Sequence, residues 1–378
     1  MQNLYFIISI ALILTGCKDV KHAKSLDVKN KPKLEVKYSK SFEIKYLDKY
    51  KVISVKNPWP GSDVVFKYAL AEENAVLPTS EKFDAIIKIP VSEIVVTSTT
   101  HIPSLEMLGV SETLTGFPNL NYISSKATRK RIEDGQIVEL GKNENMNTEV
   151  LIDLSPDLVV GFGVDGNNSA LNTIEKTGIP VVYNADWTET TPLGKAEWIK
   201  FFGAFFNKEK VADSIFNSIE EQYNLAKQSA SNATKKPTVM SGAMYRDVWY
   251  LPQGESWAAK LIDDANGDYI WHNTRGTGSI SLNLETVFDR GQIADFWIGP
   301  GQFTSLKQMT QAHSVYTKFD AFKNKKIFSF TNKKGATGGV LYYELAPNRP
   351  DIVLKDIIKI LHPKLLPNHE LYFFSHLE

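Results

Sequence analysis

Three glycines in the first half of the sequence have the spacing of a dinucleotide-binding loop. Gly161, Gly163 and Gly166 fit the pattern G-x-G-x-x-G, between a strand-like run and a short helix-like segment. The next strand-like run ends at Asp186, twenty residues beyond Gly166, where such a fold places an acidic residue against the ribose. On spacing alone, the pattern predicts an NAD-dependent oxidoreductase.

A second group of residues is suited to binding rather than to catalysis. Between Tyr245 and Trp271, six of 27 residues are aromatic, about twice the 11% of the whole chain. Aromatic walls with a few polar groups between them suit broad, flat ligands such as a corrin, a porphyrin or a catecholate chelate. Arg246, His272 and Arg275 would meet ligand carboxylates or chelate oxygens. We expect about half of the following residues to face a binding groove: Tyr245, Arg246, Trp249, Trp271 and Arg275.

The histidines and the cysteine do not have the spacing of a metal site. His101 follows a strand, where it either contacts a ligand or its metal, or bonds a backbone group. The single cysteine, Cys17, excludes thiolate zinc clusters, iron–sulfur ligation and intramolecular disulfides. The other histidines are too scattered for capture of free zinc or manganese; they are at positions 22, 272, 313, 362, 369 and 376. Any metal must therefore arrive inside a ligand.

No catalytic constellation accompanies these residues. The sequence has no G-x-S-x-G elbow, no H-E-x-x-H and no P-loop. The carboxylate pairs Asp263-Asp264 and Glu220-Glu221 fit ordinary solvated helix faces. We expect a binding protein rather than an enzyme, and we expect no cofactor.

The elements that must position these residues alternate in the manner of an α/β sheet. Residues 92–97 form a buried-strand run, and the helix that follows ends at Gly109, as a C-terminal cap should. Ligands of α/β sheets bind beyond the carboxyl ends of the strands. The loops concerned open at His101, Thr115, Phe162, Trp187, Met244 and Gly301.

An internal repeat predicts two such lobes. Asn147-Thr148-Glu149 opens a helix, and the next strand runs into Gly161-Phe162-Gly163. Asn283-Leu284-Glu285 and Gly299-Pro300-Gly301 repeat this order 136 residues later. The glycines therefore look like a strand-exit feature of both lobes, which weakens the dinucleotide-binding interpretation. In the first lobe, the expected ligand-binding residues are His101, Tyr122, Phe162 and Trp187.

A long helix is predicted between the lobes, over residues 208–229. Apolar residues recur there every three or four positions; they are Val211, Ile215, Ile219, Tyr223 and Ala226. The helix would be about 33 Å long and would join the lobes; the alternative is a covering helix of one larger sheet. A helical connection resists large hinge motion.

These patterns divide the chain into six segments. They are a signal peptide (1–16), a lipidated tether (17–40), a β-hairpin extension (41–90), an N-terminal α/β lobe (91–190), connecting helices (191–235) and a C-terminal α/β lobe (236–378). The predicted fold class is α/β: two Rossmann-like α/β lobes joined by one long backbone helix, with an N-terminal β-hairpin extension.

The N-terminal residues have the pattern of an export signal. Residues 5–15 are apolar and uncharged, too short to span a bilayer and of the right length for a signal peptide. Leu14-Thr15-Gly16-Cys17 resembles a bacterial lipobox, although residues 1–16 contain no Lys or Arg. We expect Cys17 to be lipidated and the lysine-rich residues 18–40 to form a solvated tether. Export also argues against NAD, which is not freely supplied outside the cytoplasm.

The charge balance excludes another class of partner. Lys plus Arg and Asp plus Glu each total 43, so the formal net charge is zero. No global positive field would attract nucleic acid. We therefore expect no nucleic-acid partner, and we expect a monomer.

Several short motifs, taken in order, resemble the substrate-binding lipoproteins of ABC importers for cobalamin, ferric siderophores and haem. The resemblance extends from about Ile94 to Leu366. The motifs are Thr99-Thr100-His101, Leu108-Gly109, Asn147-x-Glu149, the run at 154–159, Asn283-x-Glu285 and the closing helix after Arg349-Pro350-Asp351.

The resemblance implies a lipid-anchored, periplasm-facing protein of the cell envelope. Such a protein captures a metal chelate between two lobes and delivers it to an ABC permease and its ATPase. In that family, an exposed glutamate near the tip of each lobe pairs with arginines of the permease, and Glu149 and Glu285 occupy the matching positions. The expected cargo is a ferric siderophore, with cobalamin and haem as alternatives.

Overall fold

We describe the fold from a computed structural model, which describes residues 33–378. The predicted signal peptide, Cys17 and the first part of the predicted tether lie outside the described residues. Within residues 33–378, no helix combines the length and the apolar character needed to cross a membrane.

The segment that precedes the lobes is a four-stranded sheet. Its strands are β1 (Phe42–Tyr46), β2 (Tyr50–Lys56), β3 (Val65–Ala71) and β4 (Ala85–Lys88). The first three strands pair antiparallel, as the alternation of polar and apolar residues predicts. β4 adds to β3 in parallel. The segment therefore lies within the predicted bounds of 41–90, but it is a four-stranded sheet rather than a hairpin. β4 is not predicted, because a parallel strand needs a long connection and leaves no turn signal.

The N-terminal lobe is built on a parallel sheet of five strands in the order β11-β10-β5-β6-β7. Its strands, with the small hairpin β8–β9, are β5 (Ile94–Val96), β6 (Leu114–Phe117), β7 (Val138–Glu139), β8 (Gly141–Lys142), β9 (Asn145–Met146), β10 (Leu158–Gly161) and β11 (Val181–Tyr183). Its helices are α1 (Ile102–Met107), α2 (Lys126–Glu133), α3 (Thr148–Leu154) and α4 (Ser169–Lys176). β5 and β10 are buried along their whole length, as the central strands of a parallel sheet must be.

Three helices connect the lobes. They are α5 (Pro192–Ala196), α6 (Ile199–Phe205) and α7 (Glu209–Ser231). Every residue of α6 is buried. α7 has 23 residues and packs against α6 and the closing helix of the chain. The predicted long helix is therefore confirmed, and its buried stripe follows the predicted spacing of three or four residues.

The C-terminal lobe has a five-stranded sheet in the order β15-β12-β17-β18-β19 and an antiparallel sheet β13-β14-β16. Its strands are β12 (Thr238–Ser241), β13 (Ala243–Tyr245), β14 (Val248–Pro252), β15 (Asp268–Tyr269), β16 (Ser279–Leu282), β17 (Phe296–Ile298), β18 (Ile327–Ser329) and β19 (Ser375–His376). Its helices are α8 (Trp257–Asp264), α9 (Leu284–Gly291), α10 (Leu306–Ala312), α11 (Asp320–Lys323), α12 (Leu341–Leu345) and α13 (Pro350–Leu361). β19 is antiparallel to β18, and the other strands of the larger sheet are parallel.

The predicted repeat is present in the two lobes. The side chain of Asn147 accepts a hydrogen bond from the Val150 N–H (3.1 Å) at the start of α3. The side chain of Asn283 accepts one from the Thr286 N–H (2.8 Å) at the start of α9. Each helix then leads into a central strand, β10 or β17. The fold is therefore the predicted pair of α/β lobes joined by a long helix.

Residues 33–41 are held against the connecting helices, whereas the sequence predicts that the chain is a solvated tether until position 40. Glu197 is completely buried and accepts hydrogen bonds from the backbone N–H groups of Lys37 (2.8 Å), Tyr38 (2.7 Å) and Ser39 (2.8 Å). Composition does not reveal these contacts, because the backbone makes them and the lysine side chains do not. We call residues 33–41 the strap.

Candidate ligand-binding groove

A cavity of about 240 Å³ lies where the two lobes meet. From the N-terminal lobe, it is lined by residues at the carboxyl ends of β5, β6 and β10, which include Thr97, Phe117 and Phe162. From the C-terminal lobe, it is lined by Gly339, Val340 and Tyr343. This is the end of a parallel sheet at which ligands collect.

A larger cavity of about 410 Å³ adjoins the first one in the C-terminal lobe. It lies beyond the ends of β12, β17 and β18, and Tyr343 lines both cavities. The aromatic residues of its wall are Tyr250, Trp257, Phe330, Tyr342, Tyr343 and Phe374. We call the two cavities together the groove.

The aromatic wall of the groove is partly held by ring stacking. The rings of Phe330 and Tyr342 are stacked with centroids 4.2 Å apart, and Trp257 stacks on Tyr342 at 5.9 Å. Tyr250 and Tyr343 are about half exposed. Three rings of the wall are therefore held by stacking, while the partly exposed rings of Tyr250 and Tyr343 can meet a flat ligand.

A segment of the C-terminal lobe around α12 crosses to the N-terminal lobe. Asn348 accepts a hydrogen bond from the Ser104 hydroxyl and donates one to the Thr100 carbonyl, both at 2.8 Å. Glu344 accepts hydrogen bonds from the backbone N–H groups of Ser124 (2.6 Å) and Ser125 (2.9 Å). We call the contacts of Glu344 and Asn348 the clasp.

A glycine allows the clasp to approach the opposite lobe closely. A Cβ atom at Gly339 would lie 2.4 Å from the carbonyl oxygen of Tyr122, so any larger residue would push the segment away. Beside this contact, the Thr337 hydroxyl donates a hydrogen bond to the Asn121 carbonyl (2.8 Å). The lobes are thus joined by backbone contacts near the groove as well as by the connecting helices.

The buried carboxyl group of the clasp has a raised pKa. Glu344 is 2% exposed. Burial raises the pKa of Glu344 to about 7; the N–H groups of Ser124 and Ser125 lower it, and the nearby Glu106 carboxylate raises it. The clasp therefore titrates near neutral pH.

We predict that Glu344 makes stability fall as the pH rises from about 4.5 to about 7. Its pKa in the folded protein lies above the ordinary value of 4.5, so the folded protein binds the proton more tightly than the unfolded chain does. The stabilisation that Glu344 contributes is complete below pH 4.5, declines between pH 4.5 and about 7, and is lost above about pH 7. At ~1.4 kcal/mol per pKa unit, the change is about 3 kcal/mol.

The measurement is denaturant unfolding of the wild-type protein and of Glu344→Gln across this pH range. As the pH rises, the unfolding free energy of the wild type should decrease relative to that of Glu344→Gln. His101 also titrates abnormally, because burial lowers its pKa to about 4, but its contribution is common to both proteins and cancels. A pH-independent difference would contradict the prediction.

Two of the predicted ligand-binding residues line the groove. They are Tyr122, which is exposed, and Phe162, which is partly buried. Four others are exposed but lie outside the lining of the cavities described; they are Trp187, Tyr245, Arg246 and Arg275. Arg275 pairs with Glu255 (3.1 Å).

The other three predicted residues are in the core, so the prediction that they face the groove is wrong for this structure. Trp249 is fully buried, and its ring stacks on Trp297 with centroids 5.4 Å apart. Trp271 is 1% exposed. His101 is fully buried beside Phe202, and neither of its ring nitrogens has a hydrogen-bond partner among residues 33–378.

The groove residues that sequence reasoning missed include five aromatic ones of the C-terminal lobe, and two of these had a usable signal. Alternate residues of a strand point to opposite faces, so Tyr250 faces the groove because Trp249 and Leu251 face the core. Phe330 follows β18 at its carboxyl end, as a ligand contact should. The others have no local signal, because folding alone brings their segments to the groove; they are Trp257, Tyr342 and Tyr343.

Part of the glycine-rich loop at residues 161–166 packs against the segment that precedes the lobes. A Cβ atom at Gly163 would lie 2.7 Å from the indole ring of Trp59. The hydroxyl of Tyr68 accepts a hydrogen bond from the Tyr183 N–H (3.1 Å) of β11, which fixes the sheet beside this loop. Packing against Trp59 therefore accounts for Gly163 without a bound dinucleotide.

The two glutamates predicted to dock a permease have equivalent positions. Glu149 lies in the first turn of α3, and Glu285 lies in the first turn of α9. Both are exposed, and neither makes an ion pair within residues 33–378. Each carboxylate is stabilised by the helix N-terminus and stays available to a partner.

Comparison with known proteins agrees with this geometry. A family model described as periplasmic binding protein matches residues 94–333. An uncharacterized lipoprotein of Methanocaldococcus jannaschii is 30% identical over 300 residues, which cover 76% of this chain and 69% of that protein.

Solved structures with a similar fold include proteins described as binding iron, haem and vitamin B12. A possible iron-binding periplasmic solute-binding protein of Staphylococcus epidermidis has a TM-score of 0.57 at 18% identity, covering 72% of this chain and 99% of that one. The haem-binding protein HutB of Vibrio cholerae has a TM-score of 0.55 at 16% identity, covering 70% and 99%. The vitamin B12 binding protein BtuF of Vibrio cholerae has a TM-score of 0.52 at 11% identity, covering 74% and 99%.

At these identities, the solved structures show a shared fold, while the family model matches more than half of the sequence. With its two α/β lobes, its connecting helix and a groove at the carboxyl ends of both sheets, the chain belongs to the periplasmic binding protein family.

Proposed function

We propose that this protein is the extracytoplasmic substrate-binding component of an ABC import system. It captures a metal chelate between its two lobes and delivers the chelate to the permease. The groove carries this proposal, because residues from both lobes meet there beyond the ends of the parallel strands. Its two cavities, of about 240 and 410 Å³, have the size and the aromatic walls expected for a small-molecule site.

The chemistry of the described residues supports a chelate rather than a free ion. No group of three or more His, Cys, Asp or Glu side chains within residues 33–378 is arranged to hold a metal ion. A free-ion receptor needs such a cluster, whereas a chelate brings its own metal ligands and offers a broad organic surface. Among chelates, we propose a ferric siderophore ahead of cobalamin and haem.

The proposed partners are a permease and its ATPase. Glu149 and Glu285, one on each lobe, contact arginines of the permease, and Cys17 carries the lipid that holds the protein on the periplasmic face of a membrane. The lipoprotein relative in Methanocaldococcus jannaschii supports the anchor. We propose that the protein acts as a monomer.

The cargo is tested by purifying the protein from its native host and recording an absorption spectrum. Corrin, porphyrin and ferric-chelate bands differ plainly, so a bound cargo identifies its own class. Failure of the purified protein to bind a ferric siderophore, cobalamin or haem would contradict the proposal. Tight NAD binding in calorimetry would instead favour the dehydrogenase alternative.

We predict that Tyr343→Ala weakens chelate binding by about 10- to 30-fold. Tyr343 lines both cavities and presents an exposed ring, so its loss removes a stacking surface shared by the two lobes. The loss corresponds to about 1.4–2 kcal/mol. The measurement is isothermal titration calorimetry with the chelate identified by the absorption spectrum.

The matched control is Tyr372→Ala, which removes a similarly exposed tyrosine that lines none of the cavities described. Its affinity should stay within about twofold of wild type. Equal losses in the two variants would show that the groove is not the binding site.

A further inference from the structure

The groove is lined entirely by uncharged residues. Its polar groups, other than tyrosine hydroxyls, are Thr97, Ser98, Thr99, Asn143, Ser241 and Ser279. The rest of the lining is aromatic, aliphatic, glycine or proline. Among the described residues, no lysine, arginine, histidine, aspartate or glutamate lines either cavity.

Three cations of the described residues that could be considered as ligand contacts are engaged with other groups. Arg246 packs over the ring of Tyr245 (5.5 Å), and Arg275 pairs with Glu255. Lys195 lies 5.7 Å from the ring centroid of Trp257. It is buried, however, and its amino group donates to the carbonyl oxygens of Asp186 (2.9 Å) and Trp187 (3.1 Å).

Two acidic residues line a cavity that adjoins the groove. A third cavity, of about 250 Å³, shares Thr97, Asn143 and Phe162 with the groove and is also lined by Glu144 and Asp165. An anion placed in the groove would therefore lose water, gain no positive partner and approach two carboxylates. Desolvation of an uncompensated charge is unfavourable, and nearby like charges add to the penalty.

We propose that the groove selects an electrically neutral metal chelate. In such a complex, the charges of metal and ligand atoms cancel internally, and its outer surface suits aromatic walls, hydroxyl groups and an amide. An uncharged ferric tris-hydroxamate and a corrinoid share this chemistry. A ferric tris-catecholate, which is strongly anionic, and haem, which carries two carboxylates, do not. The inference rests on the proposed function and narrows its substrate class.

The test is a binding series with four probes on the purified protein. The probes are an uncharged ferric tris-hydroxamate, cyanocobalamin, a ferric tris-catecholate and haem, titrated by tryptophan fluorescence at low and at high salt. We expect one of the two uncharged probes to bind at least about 100-fold more tightly than either anion. Which of them binds identifies the source of the neutral chelate. We also expect its affinity to change little with salt, because no ion pair holds it.

The outcomes separate the two proposals. Binding of the tris-catecholate or of haem as tightly as the better uncharged probe would overturn the charge selection and leave the proposed function standing. Failure of all four probes to bind would overturn the proposed function and the charge selection with it.

A charge inserted in the groove provides a second test. Tyr343→Arg places a guanidinium at the boundary of the two cavities, where it should raise the affinity for the tris-catecholate relative to the uncharged probe by about tenfold or more. Tyr343→Gln removes the ring without adding charge and should weaken the uncharged probe without changing this preference. Ile293→Arg, at an exposed position outside the cavities described, adds the same charge and should leave the preference unchanged. An unchanged preference in Tyr343→Arg would overturn the inference.

Discussion

Reversing the charges of Glu149 and Glu285 together, by Glu149→Lys and Glu285→Lys, should reduce chelate uptake to background and leave chelate affinity within about twofold of wild type. The two carboxylates occupy the same position in the two lobes, in the first turns of α3 and α9. Both are exposed and lie outside the lining of the groove. Lysines there would repel the arginines of a permease, and like charges set against each other across an interface cost several kcal/mol.

Uptake is measured in cells whose own copy of the gene has been deleted, and affinity is measured by calorimetry. The control carries Glu133→Lys and Glu221→Lys, which make the same change in net charge at exposed positions of α2 and α7. Full uptake by the Glu149 and Glu285 double variant would show that the docking assignment is wrong. Lost affinity would show that the substitutions disturb the lobes.

Replacing Glu197 with leucine should destabilise the protein by about 3–5 kcal/mol. The Glu197 carboxylate accepts three backbone hydrogen bonds from the strap and lies 3.0 Å from the Lys200 amino group, which is also fully buried. Without Glu197, the buried Lys200 amino group keeps, among the described carboxylates, only that of Asp213, which is partly exposed and lies 3.6 Å away. The measured penalty for removing one member of a buried ion pair is of this size. The three N–H groups of the strap would lose their acceptor as well.

Denaturant unfolding gives the change in free energy, and hydrogen exchange gives its location. We expect the amides of Lys37, Tyr38 and Ser39 to lose protection before the rest of the molecule. Glu221→Leu, at an exposed position of α7, should change stability by less than about 0.5 kcal/mol. A loss below about 1 kcal/mol in Glu197→Leu, with protection retained, would mean that the strap is held by other contacts.

The features that local patterns predict correctly are those with a short-range physical cause. The long connecting helix is predicted at 208–229 and observed at Glu209–Ser231, because a repeating apolar stripe needs only neighbouring turns. The helix starts at Asn147 and Asn283 follow from side chains that cap their own helices. The repeat of these elements indicates two lobes before any contact between them is known.

The groove is harder to predict, because its walls come from segments that folding alone brings together. Trp249 and Tyr250 are neighbours in an aromatic stretch, and only the direction of the strand's pleat decides which one reaches the groove. Tyr343 is distant in sequence from that stretch, yet lines the same cavity. The strap is missed for a related reason, since Glu197 binds backbone groups that any sequence would offer.

The clasp restrains the separation of the two lobes that release of a ligand from the groove would need. The lobes are joined at two places, by the connecting helices and by the hydrogen bonds of Glu344 and Asn348. Two connections restrain the lobes more than a single hinge would. Spreading the lobes means breaking those hydrogen bonds, so we expect the free protein to open rarely. Under the proposed function, the permease would supply the energy that separates the lobes, and release of the chelate would then occur only at the transporter.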